Sequence, residues 1–328
     1  MLNSFARLLA IAFATGLSTA SAWTQTDYPA RAITLIVPFA AGGPADVQAR
    51  IVAEHMSRTL GQPVVIENIV GAGGTIGTTR AMRASPDGYT IVVGQLGTHA
   101  SAPALYRSLP YDPENDFAPI GQVTVSPFLV VARKDFPPRD LKELIFYVRG
   151  NADKVNSGHA GVGSVTHMTC LLFNWLIGVK PTTVPFNGAG PVMNALVAGQ
   201  IDYMCDSIVN ATTQVQAGHI KGYAITTPQR NPIVPHVPTT TEAGLPDFQV
   251  TSWLALFARK GTPLPIRDRL TAALDRALDD PGVSRRFSEL GIGIPSKVAR
   301  SQDGLAIFLK SEIARWTPII KAANVKAE

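Results

Sequence analysis

Cysteine is scarce in this chain of 328 residues. The two present, Cys170 and Cys205, belong to no C-x-x-C pair and no Cys/His cluster with zinc spacing. The six histidines form no H-E-x-x-H and no i,i+4 pair, so the sequence asks for no metal. Charge is sparse as well: Asp, Glu, Lys and Arg make up 16% of residues, and the net charge of +5 is scattered without a basic run. That is too dilute for a groove that tracks nucleic-acid phosphates, so no nucleic-acid partner is expected. No G-x-x-x-x-G-K-[ST] phosphate loop and no G-x-S-x-G nucleophile elbow occurs. GAGGTIG (71–77) misses the dinucleotide fingerprint by one residue and follows the second strand rather than the first, so no cofactor is expected.

What is abundant is apolar. Hydrophobic residues are 46% of the chain, enough to fill the cores of about two domains at ~150 residues each. The first 22 residues have Arg7, an apolar run over 8–17 and the small residues Ala20-Ser21-Ala22. That is the layout of a secretory signal peptide. The mature chain is expected to start at Trp23 and to be exported. Beyond this leader no apolar stretch reaches 18 residues, so the mature chain is not expected to insert into a membrane.

From residue 33 onward β-branched runs alternate with helical periodicity. Strands are expected at 33–37, 63–67, 89–93, 128–132, 155–157, 182–186, 201–205, 222–226 and 253–258. Helices are expected from Asp46 to Leu60, and over 78–84, 141–148, 166–177, 191–198, 266–278 and 305–322, with another closing at 215–218. This alternation predicts an α/β fold with mainly parallel sheets. It divides into two α/β units, with chain crossings near 122–126 and 223–227 and no low-complexity linker between them.

Two turns share one logic: a strand, a glycine-rich bend and a helix N-terminus. They are PFAAGGPAD (38–46) and GHAGVGS (158–164), one in each unit. Unpaired N–H groups and the helix dipole attract a carboxylate or phosphate there, and glycine lets the anion approach the backbone. Asp46 and Arg50, four apart, are read as an ion pair across one helical turn. Asp206 follows a strand and falls at the sheet edge where open α/β sheets bind ligands. Phe39 and Phe186 each end a strand, as cleft walls or core caps. Ser164 and His167 share a helical turn, which leaves a secreted serine hydrolase as the alternative to a binding protein, although no carboxylate is placed to orient the histidine. Cys170 and Cys205 fall in one unit of an exported chain, so a disulfide between them and two free thiols are both open.

Taken together, PF-x-x-GG-x-x-D (38–46), GAGG-x-x-G (71–77), G-x-GS-x-x-H (161–167), GQIDYMCDS (199–207) and VPTTTEAGLPDF (237–248) resemble the Bug receptors. These are the substrate-binding components of tripartite tricarboxylate transporters, and the likeness covers essentially the whole mature chain. It departs at Asn68-Ile-Val70, where the family often has asparagine-arginine-proline. The resemblance implies a type II periplasmic binding protein with two α/β domains on a two-strand hinge. One domain would combine 23–124 with 224–328; the other would be 125–223. It further implies capture of a small carboxylate by loop N–H groups and waters, with Phe39, Ala41, Gly42, Gly73, Gly161, Gly163, Ser164, His167 and Asp206 on matching positions. The implied partners are membrane transporter subunits or a sensor protein, and no catalysis is implied.

Overall fold

A computed structural model describes residues 28–325; the signal peptide expected at 1–22 lies outside the described residues. The first elements are β1 (Ile33–Val37), α1 (Pro44–Leu60), β2 (Val64–Asn68), α2 (Thr75–Met82), β3 (Thr90–Gln95), α3 (Ala102–Leu105) and β4 (Phe117–Arg133). Then come α4 (Leu141–Gly150), β5 (Asn156–His159), α5 (Val165–Leu176), β6 (Thr182–Pro185), α6 (Ala189–Val197), β7 (Tyr203–Ser207), α7 (Ile208–Gln216) and β8 (Ile220–Ile225). The chain finishes with β9 (Thr251–Arg259), α8 (Leu264–Asp279), α9 (Pro281–Glu289) and α10 (Gln302–Ala323).

The strands form one curled sheet in the order β2-β1-β3-β9-β4-β7-β5-β6, with β8 also paired to β4. Pairs β1–β2, β1–β3, β5–β6 and β5–β7 are parallel. Pairs β3–β9, β4–β9, β4–β7 and β4–β8 are antiparallel. The mainly parallel sheet expected from the alternation is therefore corrected to a mixed one. The reason lies in β4 and β9, which run through the middle and lie antiparallel to their neighbours.

β4 is one 17-residue strand where the sequence reads as a strand over 128–132 alone. Up to Pro127 it pairs with β9; from Phe128 it pairs with β7 and β8. Pro119, Gly121 and Pro127 hide the strand in the sequence. Pro119 and Gly121 sit at a register shift, where the ladder tolerates a missing donor. The chain leaves the first half of the sheet at Ser126–Pro127 and rejoins it at Thr251. Between β8 and β9 it stays with the second half, where Val234 and Val237 pack with Leu129 and Val131.

Three apolar cores hold the layers. Met56 of α1 and Leu270 of α8 cover one face of the first half with Phe287. Val192, Leu196 and Val215 cover the second half. The largest core crosses both halves, joining Val92, Trp253 and Phe257 to Phe128, Phe173 and Trp316. Burying side chains of this size contributes roughly 1.5–3 kcal/mol each. A continuous core explains why no linker composition separates the halves. Sequence periodicity misses α9, whose start is nonetheless written as Asp280-Pro281: the Asp280 carboxylate accepts from the N–H groups of Gly282 and Val283.

Candidate functional site

The bend between β1 and α1 is built by buried Asp46. Its carboxylate accepts the Gly42 N–H at 2.8 Å, the Asn68 side-chain amide at 2.9 Å and the Arg50 guanidinium at 2.8 Å. Burial pushes the Asp46 carboxyl up, but the hydrogen bonds from Arg50, Gly42 and Asn68 outweigh it and hold it below the usual carboxylate range. The expected Asp46–Arg50 pair thus also staples the loop. Asn68 adds a bond to the Phe39 carbonyl at 3.0 Å. Gly42 takes φ +75°, a left-handed conformation that glycine reaches without steric cost.

Two of the N–H groups expected to meet an anion are spent inside this loop. Gly42 donates to Asp46, and Gly43 donates to the Ala40 carbonyl at 3.2 Å. The Ala41 N–H has no partner among the described residues. Phe39 is a wall: its ring packs over Gly74, where an added Cβ would stand 3.0 Å from the ring edge.

The second bend, 159–164, leads into α5. Gly161 and Gly163 take φ +109° and +81°. Ser164 caps the helix, its hydroxyl accepting the His167 N–H at 3.3 Å and lying 3.1 Å from the Thr166 hydroxyl. The His167 Nδ1 accepts the Gly163 N–H at 3.1 Å, and its ring packs against the His159 ring, centroids 4.3 Å apart and tilted by 30°. Burial and then the His159 neighbour hold His167 down to about 3, so it is neutral with its proton on Nε2. The hydrolase alternative is corrected here. The hydroxyl of Ser164 bonds to backbone and Thr166, the histidine ring bonds to Gly163, and no Ser164–His167 side-chain bond joins nucleophile to base. The Gly161 and Val162 N–H groups have no partner among the described residues.

Asp206 is the next-to-last residue of β7 and is fully buried. It accepts from the Ser207 N–H at 2.8 Å and from the Asn210 amide. Burial pushes its carboxyl up to about 7 despite these bonds. The buried Ser207 hydroxyl has no partner among the described residues. Asn210 also reaches the Ala189 carbonyl at 3.2 Å, and the neighbouring Gly188 faces Ala40, with an added Cβ 3.6 Å from the Ala40 methyl. The Asp206 corner and the first bend are thereby joined across the molecule.

Gly73 stands at the meeting of two loops. Its missing Cβ points at the Val162 carbonyl of the opposite loop, so it makes close contact between loops. Gly163 likewise faces Leu105, where a Cβ would approach to 2.8 Å. Enlarging Gly163 would disturb this packing before it touched a ligand. Sequence reasoning missed Gly97, Thr98, Tyr106, Gly188 and Ser207. Gly97 lies against the Gly163 carbonyl, 2.6 Å from where its Cβ would stand. A third glycine bend after β3 was the available signal for Gly97 and Thr98; Tyr106 had none.

The structure holds both cysteines as buried free thiols, one of the two alternatives left open by the sequence. The Cys170 sulfur accepts the Cys205 N–H at 2.8 Å, tying the middle of α5 to the strand that carries Asp206.

The family model described as "Tripartite tricarboxylate transporter family receptor" matches residues 48–325. MatC from Rhodopseudomonas palustris, solved with bound malate, is 50% identical; the match covers 89% of this chain and 100% of that one, with a TM-score of 0.86. The periplasmic binding protein BugD is 41% identical over 92% of this chain and 100% of its own, with a TM-score of 0.86. A second R. palustris protein, solved with adipate, is 32% identical over 91% of this chain and 99% of its own, also at 0.86.

Proposed function

We propose a function from one premise: this chain belongs to the tripartite tricarboxylate transporter receptor family, which includes the Bug receptors. It is a periplasmic solute-binding receptor that captures a small carboxylate between the two halves of its sheet, which act as the two domains of a hinged clamp. It hands that ligand to membrane transporter subunits or a sensor. The putting-out of the chain to the periplasm rests on the N-terminal leader, and among the described residues no helix is long and apolar enough to cross a membrane.

The observation that carries this reading is the pair of helix-start loops at 39–43 and 161–164, one in each half of the sheet. They contain no lysine or arginine, and they leave the N–H groups of Ala41, Gly161 and Val162 without partners in the described chain. Backbone N–H groups at the starts of α1 and α5 supply positive potential without a salt bridge. Asp206 and Ser207 supply a second polar end, suited to a hydroxyl or to a second carboxyl group. Malate and adipate, bound by the two relatives, are the first ligands to test.

A thermal-shift screen of mono-, di- and tricarboxylates, followed by calorimetry, is the test. At a hundredfold excess over Kd a true ligand adds about 2.7 kcal/mol of apparent stability. Saturable binding without turnover is expected; a flat screen across all three classes would overturn the reading.

A further inference from the structure

Across the seam between the two glycine loops stands a residue with no part in the helix-start chemistry. The Tyr106 hydroxyl donates to the Ala72 carbonyl at 2.7 Å and stands 3.5 Å from the Val162 carbonyl. Ala72 belongs to the loop before α2, Val162 to the loop before α5. The glycines on either side are shaped around the same hydroxyl. A Cβ on Gly73 would lie 2.9 Å from it, and one on Gly163 would lie 3.1 Å from it. The Tyr106 hydroxyl thus sits where the two loops meet, with Gly73 and Gly163 on either side.

We infer that Tyr106 is a positioning residue for ligand capture, its hydroxyl holding the 72–75 and 161–164 loops in register when the receptor is closed. This rests on the carboxylate-receptor reading above and names a residue that the reading does not need. The hydroxyl is not required to keep the first loop folded. The Ala72 carbonyl also accepts the Thr75 hydroxyl at 2.9 Å and the Thr75 N–H, so it stays satisfied without Tyr106. The Val162 carbonyl, on a partly exposed loop, is free to take water once the loops part. Removing the hydroxyl costs the open state only its bond to Ala72, which the Thr75 donors replace, and costs the closed state the shared contact with Val162 as well. A ligand bound between the loops would leave faster, while the rate at which it enters an open receptor would stay the same.

The test uses the full mature chain and Tyr106→Phe, which keeps the ring and its packing. Hydrogen–deuterium exchange on malate-saturated protein, where the clamp is closed, reads the coupling directly. Exchange should quicken in both 72–75 and 161–164, with the thermal midpoint of the ligand-free protein unchanged. Faster exchange in 72–75 alone, or in neither loop, would overturn the inference, because a purely local role would not reach the opposite loop. Stopped-flow dissociation of malate is the second arm. Dissociation should be about two- to tenfold faster, the range for one net hydrogen bond, with association unaltered. If malate binds wild type and leaves both proteins at one rate, the inference fails and the receptor reading stands. If malate and every other acid fail to bind wild type, the receptor reading fails and the inference, which rests on it, falls with it.

Discussion

At the scale of single residues, the buried ionisable groups pull stability in opposite directions with pH. Asp206 is raised from its ordinary 3.8 to about 7, so the folded chain holds a proton that the unfolded chain has lost. Its contribution is fully present below pH 3.8 and is lost as pH rises through 7. His99 and His167 are each lowered by burial from 6.5 to about 3. Their contribution is fully present above pH 6.5 and is lost as pH falls toward 3. Between pH 4 and 6.5 two imidazoles outweigh one carboxyl, so acid destabilises the fold through these three groups. Asp206→Asn removes the opposing slope. Its stability relative to wild type should climb from pH 4 to pH 7, on the order of 1 kcal/mol per pH unit. Urea denaturation at pH 4.5, 6 and 7.5 measures this; a difference constant with pH would mean that Asp206 is ionised throughout. His99 also explains a glycine: a Cβ at Gly94 would stand 2.7 Å from its ring nitrogen, and the ring stacks on Phe257 at 4.3 Å.

At the scale of elements, the site consists of helix starts held by the strands before them. Asp46 and Asn68 fix the start of α1 from β2, and the Cys170–Cys205 contact fixes the flank of α5 against β7. Burial pushes the Cys205 thiol up, with the hydrogen bond to Cys170 adding to it, so the reactive thiolate is suppressed at neutral pH. Protein purified without reductant, denatured and alkylated should therefore take up two alkyl groups by intact mass. Uptake of none would mean that the two sulfurs are bridged in the exported protein. Ser164 and Asp140 cap α5 and α4 through their own side chains, and both caps were legible as a Ser or Asp before an apolar helix. The pairings were not legible. Asp46 and Asn68 are 22 residues apart, Cys170 and Cys205 are 35 apart, and no local pattern joins either pair.

At the scale of the whole molecule, the structure has the two halves of the sheet touching at Gly73 against Val162, Gly97 against Gly163 and Gly188 against Ala40. In the proposed clamp these contacts are those of the closed form, and the hinge we propose falls where β4 changes partners at Pro127 and where the chain enters β9 at Thr251. Gly73→Ala places a methyl group on the Val162 carbonyl at a residue with φ +63°, so it should hold the clamp open. Small-angle scattering should give wild type a smaller radius of gyration with a bound acid, and Gly73→Ala the larger radius with or without it, with affinity reduced at least tenfold. Equal radii for both proteins in all states would rule out closure by these loops. The sequence by itself determined the alternation of strands and helices, the glycine bends at 38–43 and 158–164, and the family, because periodicity, glycine and capping residues act over a few neighbours. The tertiary structure decided which loop N–H groups are spent on Asp46 or His167 and which remain free. It decided that Gly73 meets the opposite loop and that β4 is one strand through both halves. It also brought Tyr106 to the seam. Each of these depends on groups tens of residues apart being packed together, and only the folded chain sets those distances.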